Sequence, residues 1–179
     1  MCGIVGIYAY RDASTSVDLD ELRRMRDHMQ RRGPDGSGEW LSADGRVGLA
    51  HRRLAIIDLS QRGAQPMHTR DGKLSITFNG EIYNYRSLRA ELERKGYEFE
   101  SQSDTEVLLH LYRDRGPDML RALRGMYAFG LWDAAERSML LARDPYGIKP
   151  LYYSTHDGSL RFASQVKALL AGGRVPRAP

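Results

Sequence analysis

A cysteine at position 2, the only one in 179 residues, is the residue here with most chemistry to offer. Its thiolate is a strong nucleophile and needs a base to take its proton. Removal of Met1, which the small Cys2 side chain permits, leaves a thiol and a free α-amine on one residue. With a pKa of roughly 7.7–8, that amine is a base suited to neutral pH, acting through a water. Read structurally, the same cysteine is a small buried hydrophobe of a first strand, and position by itself leaves the two readings level. Attack on an acyl carbon also needs donors for the oxyanion that forms. "FNGEIYN" offers them: a strand ends at Phe78, and Asn79-Gly80 sets a side-chain amide beside a backbone N–H with no side chain to cover it. Taken alone, Asn-Gly is a turn. Arg53 heads the apolar run of "HRRLAIID", where its fork could grip a carboxylate. Asp104, near a helix start, could meet an ammonium group. Each has an ordinary reading too, Arg53 as a surface residue and Asp104 as a helix-start aspartate. The five histidines are dispersed and none is given a catalytic role.

The elements that must hold these residues follow from periodicity and punctuation. β-branched Ile4, Val5 and Ile7 open the chain as a strand. Asp18 with Glu21 is an N-cap signature for a helix carrying Leu22, Met25 and Met29, stopped by Gly33-Pro34-Asp35-Gly36. Strands are expected at 47–50, 54–58 and 74–78. A helix from near Asn84 shows Leu88 and Leu92 on one face and ends at Gly96. "SDTE" predicts a capping box of Ser103 and Glu106, then a stripe of Leu108, Leu111 and Tyr112. A short helix near 118–123, a buried strand in "MYAFGLWD", and strands in "SMLLARD", "KPLYYST" and "SLRFAS" complete the order, with Asp157-Gly158 as a hairpin turn. Helices and strands come in groups joined by hairpins, so the fold class is α+β and not a doubly wound parallel sheet. Gly33, Gly36 and Gly38 follow a helix, which makes a poor phosphate loop.

Composition bounds the rest. With 41% hydrophobic and 28% charged residues the chain reads as one globular domain, long enough to bury a core without staples. One cysteine excludes an intrachain disulfide framework and fits a reducing compartment, so a cytoplasmic location is expected. No membrane partner is expected either, because the apolar run at 4–9 is too short for a span or a signal peptide. Lys and Arg number 27 against 23 Asp and Glu, a net +4. The arginines are scattered among acids, and the densest group (Arg23, Arg24, Arg26, Arg31, Arg32) surrounds one helix, which reads as a solvated face and not as a nucleic-acid surface.

"MCGIVGIY", "RRGPDGSGEW", "AHRRLAIIDLS", "AQPM", "FNGEIYNY", "SDTEVLLHLY", "GMYAFGLWD" and "ARDPYGIKPLYY" occur in this order. As an ordered set they are highly specific, and over about residues 2–170 the chain resembles the glutaminase domain of glutamine-hydrolysing asparagine synthetases. These are class II glutamine amidotransferases of the N-terminal-nucleophile hydrolase superfamily. The resemblance implies a four-layer αββα sandwich. It also implies a nucleophile at Cys2 with its own α-amine as base, and oxyanion donors at Asn79 and Gly80. Arg53 would hold the α-carboxylate of L-glutamine, backbone groups of Leu54, Ile56 and Ile57 would line the same pocket, and Glu81 and Asp104 would meet the substrate ammonium. The implied reaction releases ammonia, leaves a glutamyl thioester on Cys2 and hydrolyses it to glutamate. No cofactor is implied in this domain and no metal. ATP and Mg2+ are expected only in a synthetase domain, C-terminal or separate, and a homodimer is the expected assembly.

Two departures stand out. Arg31 occupies the place before "RGPD" where the family usually has His, which bears on loop packing and local charge. No synthetase ATP loop is present, so residues 2–171 are assigned to the amidotransferase domain and "GGRVPRAP", 172–179, to a linker or truncated end. Hexosamine-forming and purine-pathway amidotransferases share the N-terminal Cys and an Asn-Gly, but "RRGPDGSG", "HRRLAIID" and "NGEIYN" point to the asparagine synthetase branch. That branch includes relatives in antibiotic and polysaccharide pathways. A non-catalytic module of the same fold is the other alternative, and intact Cys2, Arg53, Asn79 and Asp104 argue against it.

Overall fold

Central strands must be covered on both faces, and the first strand shows this most plainly. In the computed structural model, which describes residues 1–11, 16–55 and 60–177, β1 (Gly3–Ala9) is flanked by β3 (Val47–Arg53) and β9 (Ser159–Ala163), both antiparallel to it. With β2 (Gly36–Leu41) and β8 (Tyr152–His156) they form a sheet of order β2-β3-β1-β9-β8. A second antiparallel sheet has the order β4-β5-β6-β7, from β4 (Met67–His68), β5 (Leu74–Ile82), β6 (Gly125–Asp133) and β7 (Ser138–Arg143).

Side chains alternate across these strands and so sort the core into three layers. Val5 and Ile7 face outward from the first sheet, onto Leu22 and Met25 of α1 (Leu19–Asp27) and Ala168 and Leu169 of α4 (Val166–Ala171). Ile4 and Leu49 point the other way and meet Ala128 and Trp132 of the second sheet, with Phe162 between them. Ile76, Phe78 and Ile82 on the far face of the second sheet pack under α2 (Tyr85–Arg94) and α3 (Asp104–Arg115). The order is therefore helices, sheet, sheet, helices: the expected four-layer αββα sandwich. Among the described residues no helix is long and apolar enough to cross a membrane.

The helix starts were legible, the details less so. Asp18 caps α1 by accepting from the N–H of Asp20 (2.9 Å) and Glu21 (3.2 Å), but the Glu21 carboxylate turns inward to Arg161 of β9 (2.6 Å) and leaves the reciprocal arm of a capping box unmade. The same correction applies at α3. Ser103 accepts from Thr105 N–H (3.2 Å), while Glu106 accepts from the N–H of Glu100 (2.8 Å) and Ser101 (2.7 Å), so it closes the preceding loop and not the cap. The expected apolar stripe of α3 widens to include Val107 and Leu109, because α2 covers the side that the sheet does not. Asp157 and Gly158 adopt positive φ (51° and 69°) between β8 and β9, as a two-residue hairpin turn requires.

The separate strands expected at 47–50 and 54–58 are replaced by the single β3, which runs to Arg53; Leu54 and Ala55 lie past its end and the rest of that expectation lies outside the described residues. Arg53 thus ends a strand and does not head one. β2 was not anticipated, since its Gly36 and Gly38 read as loop. Gly38 is required there because a Cβ would collide with the Gln65 carbonyl oxygen.

Candidate active site

The sheet registers decide which residues meet. Gly3 is paired with Arg52 and Ile4 with His51, so Cys2 follows on the same side as Ile4, facing the gap between the sheets, beside Arg53. Its Sγ accepts from the Leu54 N–H (3.3 Å) and lies 3.5 Å from the Leu54 carbonyl oxygen. Arg32 holds the peptide itself, its Nε donating to the Cys2 carbonyl (3.2 Å). The Arg53–Ala55 stretch is strapped down by the "RGPDG" loop. Gly33 packs so closely on the Arg52–Arg53 backbone that a Cβ could not fit. Asp35 donates its N–H to the Arg53 carbonyl (3.0 Å) and accepts from Ala55 N–H (3.0 Å). Arg31, the departure from the family pattern, is exposed in the 3-10 turn Gln30–Arg32 and touches none of this.

Across the gap stands β5. Tyr127 of β6, opposite Gly80, directs its own N–H and C=O to Asp144 (3.3 and 2.8 Å), so the Gly80 peptide groups point away from β6. The neighbours of like parity confirm the direction: Phe78 N–H donates to Gln65 Oε1 (2.6 Å) and Ile82 N–H to Asp104 Oδ2 (2.9 Å). Among the described residues β4 pairs with β5 only at Ser75 and Ile76, and no strand neighbours the edge on which the Gly80 N–H lies. A Cβ on Gly80 would strike the Met126 carbonyl oxygen, so glycine is demanded by the approach of β6. Asn79, one residue before, is 1% exposed, and among the described residues its Nδ2 has no hydrogen-bond partner. By alternation its side chain shares the inter-sheet face with Thr77, whose hydroxyl donates to the Ala50 carbonyl of β3 (3.2 Å).

Cys2, Arg53, Leu54, Gly80 and Asp104 line one narrow pocket of ≈ 50 Å³. Asn79 is buried behind its wall, Glu81 stands half-buried outside it, and Ile56 and Ile57 lie outside the described residues. A family model described as "Glutamine amidotransferase domain" matches residues 1–178. The chain belongs to that family. It is 46% identical over 95% of its length to asparagine synthetase [glutamine-hydrolyzing] 1 of Bacillus subtilis and 40% identical over 98% to amidase chry2 of Gibberella zeae, covering 27% of each relative. The chain thus spans about a quarter of the curated relatives it matches. The solved glutamine phosphoribosylpyrophosphate amidotransferase of B. subtilis, complexed with ADP and GMP, shares its fold (TM-score 0.80, 25% identity, 96% of this chain and 44% of that one). The fold is that of the N-terminal-nucleophile amidotransferases.

The electrostatics of the amidotransferase domain's pocket are uneven. Burial pushes the Cys2 thiol up, while the Leu54 N–H, the chain-terminal ammonium, Arg53 and Lys149 pull it back. Burial also lifts the Asp104 carboxyl to about 6, opposed by the Ile82 N–H and reinforced by Glu81. Three contributors escaped the sequence reading. His51 lines the pocket fully buried, its Nε2 donating to the Phe78 carbonyl (3.1 Å), and burial holds it down at about 4, hence neutral. Gln65 and Arg32 also reach the site. Arg32 and Gln65 lie inside "RRGPDGSGEW" and "AQPM", so the motifs marked their regions without assigning either a task. His51 likewise lies inside "AHRRLAIIDLS" and was assigned no task, because histidine in a strand is usually core or surface.

Proposed function

We propose that this amidotransferase domain hydrolyses L-glutamine at Cys2 and delivers the ammonia to an ATP-dependent synthetase domain, on the same chain or a separate one. The observation that carries the reading is the meeting, in one pocket, of the single cysteine with an outward-facing Gly80 N–H and with one cationic and one acidic anchor. Arg53 would take the substrate α-carboxylate as a fork, and Asp104, with Glu81 nearby, would take the α-ammonium. Leu54, Ile56 and Ile57 would supply backbone groups.

With Met1 removed, the Cys2 α-amine accepts the thiol proton as Sγ bonds to the glutamine amide carbon. The carbonyl oxygen becomes an oxyanion, held by the Gly80 N–H and the Asn79 Nδ2. The carbon–nitrogen bond then breaks, the amine returns its proton to the leaving nitrogen, and ammonia departs. Water next adds to the thioester, sulfur leaves, and glutamate and the free thiol are restored. ATP and Mg2+ belong, in this reading, to the synthetase domain. The likeness to asparagine synthetases supports an amidating synthetase as the destination, and the likeness to amidase chry2 shows the domain also serves proteins of other names; a reducing cytoplasm, in keeping with a single cysteine, and a homodimer are part of the same proposal.

A glutamine analogue with an electrophilic side chain tests the reading. It should add its mass to the peptide beginning at Cys2, in protein whose intact mass lacks Met1, and Cys2→Ala should be neither labelled nor active. Label elsewhere, or turnover surviving in Cys2→Ala, would refute it.

A further inference from the structure

An open sheet edge is the least constrained place to put a catalytic donor. Beyond Ile76 the outer edge of β5 has no strand neighbour among the described residues, and peptide groups of a free edge fray toward water. Yet the Phe78 peptide, immediately before Asn79, is held at both its N–H and its C=O by side chains from two other parts of the molecule. Gln65 Oε1 accepts from the N–H at 2.6 Å, and His51 Nε2 donates to the C=O at 3.1 Å. Because a carbonyl only accepts, that bond fixes the imidazole proton on Nε2. Gln65 is tied in turn: its Nε2 donates to Thr105 Oγ1 (3.3 Å), and its backbone is wedged against Gly38 of β2. Two residues beyond Gly80, the next outward N–H, that of Ile82, is held by Asp104. Gly80 therefore sits midway between two anchors, both leading to the first turn of α3.

We infer that Gln65 and His51 are positioning residues for the hydrolysis, a two-sided clamp on the Phe78 peptide that stands in for the missing strand and aims the Asn79 and Gly80 donors before substrate arrives. The inference rests on reading Asn79 and Gly80 as oxyanion donors. The chemistry fits the choice of groups. A side-chain amide offers acceptor and donor on one planar unit, so Gln65 can grip β5 and α3 at once. Burial keeps His51 uncharged across the neutral range, so the clamp sets no net charge beside a developing anion. Preorganised donors lower the barrier because they need no reorganisation during attack, and donors left loose by a fraction of an ångström forfeit much of that gain.

The test compares Gln65→Met, His51→Leu and the conservative His51→Gln, whose side-chain amide nitrogen can reach the place of Nε2. Glutamine hydrolysis gives kcat and KM. Two ligands separate the states: L-glutamate uses only the α-carboxylate and ammonium anchors, whereas the γ-aldehyde of glutamate adds to the Cys2 thiol and puts its oxygen into the oxyanion site. Gln65→Met and His51→Leu should each lower kcat by ~10–100-fold with KM within ~3-fold. Affinity for the aldehyde should fall in parallel with kcat, affinity for glutamate should hold, and His51→Gln should recover most of the loss. Unchanged kcat in Gln65→Met, equal loss of both ligands, or a His51→Gln variant as poor as His51→Leu would overturn the clamp. A wild-type protein with neither turnover nor an aldehyde adduct would instead bring down the amidotransferase mechanism on which the clamp depends.

Discussion

Asn79 shows how a buried side chain that is costly to the fold can be read as a group held for the reaction. An unpartnered buried donor costs ~1–3 kcal/mol, and among the described residues the Nδ2 of Asn79, inside β5, is buried with no hydrogen-bond partner. If the amide waits for an oxyanion, Asn79→Ala should lose roughly 10²–10³ in kcat with KM little changed, and Asn79→Asp should lose more by opposing a forming negative charge. Steady-state kinetics per folded molecule separates this from a purely structural role, which would lower the melting temperature and leave kcat intact. Asp104 makes a second, pH-dependent prediction. Its carboxyl titrates at about 6 in the folded chain, above the ordinary 3.8, so folding favours the protonated form. That stabilisation is complete at low pH and is lost as pH rises from ~4 through ~6, a change of about 2–3 kcal/mol. Asp104→Asn should therefore gain stability relative to wild type between these limits, read from denaturation curves at pH 4 and 7. Glutamine binding has the opposite sign, because only the ionised carboxylate holds an ammonium: KM should rise as pH falls below about 6, and that slope should vanish in Asp104→Asn.

At the scale of elements, the two sheets are held at a fixed separation by a ring and two glycines. Phe162 of β9 is fully buried, and a Cβ on Gly6 of β1 or on Gly130 of β6 would run into its ring. The ring therefore spans the same gap between the sheets into which, by alternation along β1 and β5, the Cys2 and Asn79 side chains are directed. Phe162→Ala should cost ~3–5 kcal/mol through the cavity it leaves. Gly130→Ala should cost ~1–3 kcal/mol through overpacking, and Phe162→Leu should relieve part of that in the double variant. Urea denaturation of the three proteins measures both effects. A Gly130→Ala variant as stable as wild type would mean the ring can move aside, and the sheet spacing would then have another source.

Across the whole molecule, the outer helical layer is anchored to the first sheet by charge as well as by apolar contact. Glu21 of α1 and Arg161 of β9 are 1% and 3% exposed and pair at 2.6 Å, with Arg174 reaching the same carboxylate at 3.4 Å. The stretch assigned as a linker is thus in contact with α1 at its start, where Arg24 also donates to the Gly172 carbonyl (3.0 Å). Removing one partner of a buried pair leaves an uncompensated charge, so Glu21→Ala should destabilise by ~3–5 kcal/mol, while Glu21→Met with Arg161→Met should recover most of it. Arg161 is paired with Ile7, at the opposite end of β1 from Cys2. Glutamine hydrolysis per folded molecule should therefore be unchanged, and a cycle of thermal melts with activity assays checks both statements.

The sequence by itself determined what is local: the single cysteine at position 2, the helix caps at Asp18 and Ser103, the Asp157-Gly158 turn and the alternation that makes β1 and β6 interior strands. Its ordered motifs also carried the family and, through it, the four-layer fold. Local signals could not say which side of β5 the Gly80 N–H faces, since that depends on Tyr127 turning its own groups toward Asp144, nor that β3 would run on to Arg53 and end there. Only the tertiary structure brought in His51, Gln65 and Arg32, because a side chain that acts by holding a distant peptide has no periodicity or spacing of its own. Its role exists only once registers place position 51 opposite Ile4 and within reach of Phe78, and register is set by the burial of whole faces together, not by any one residue.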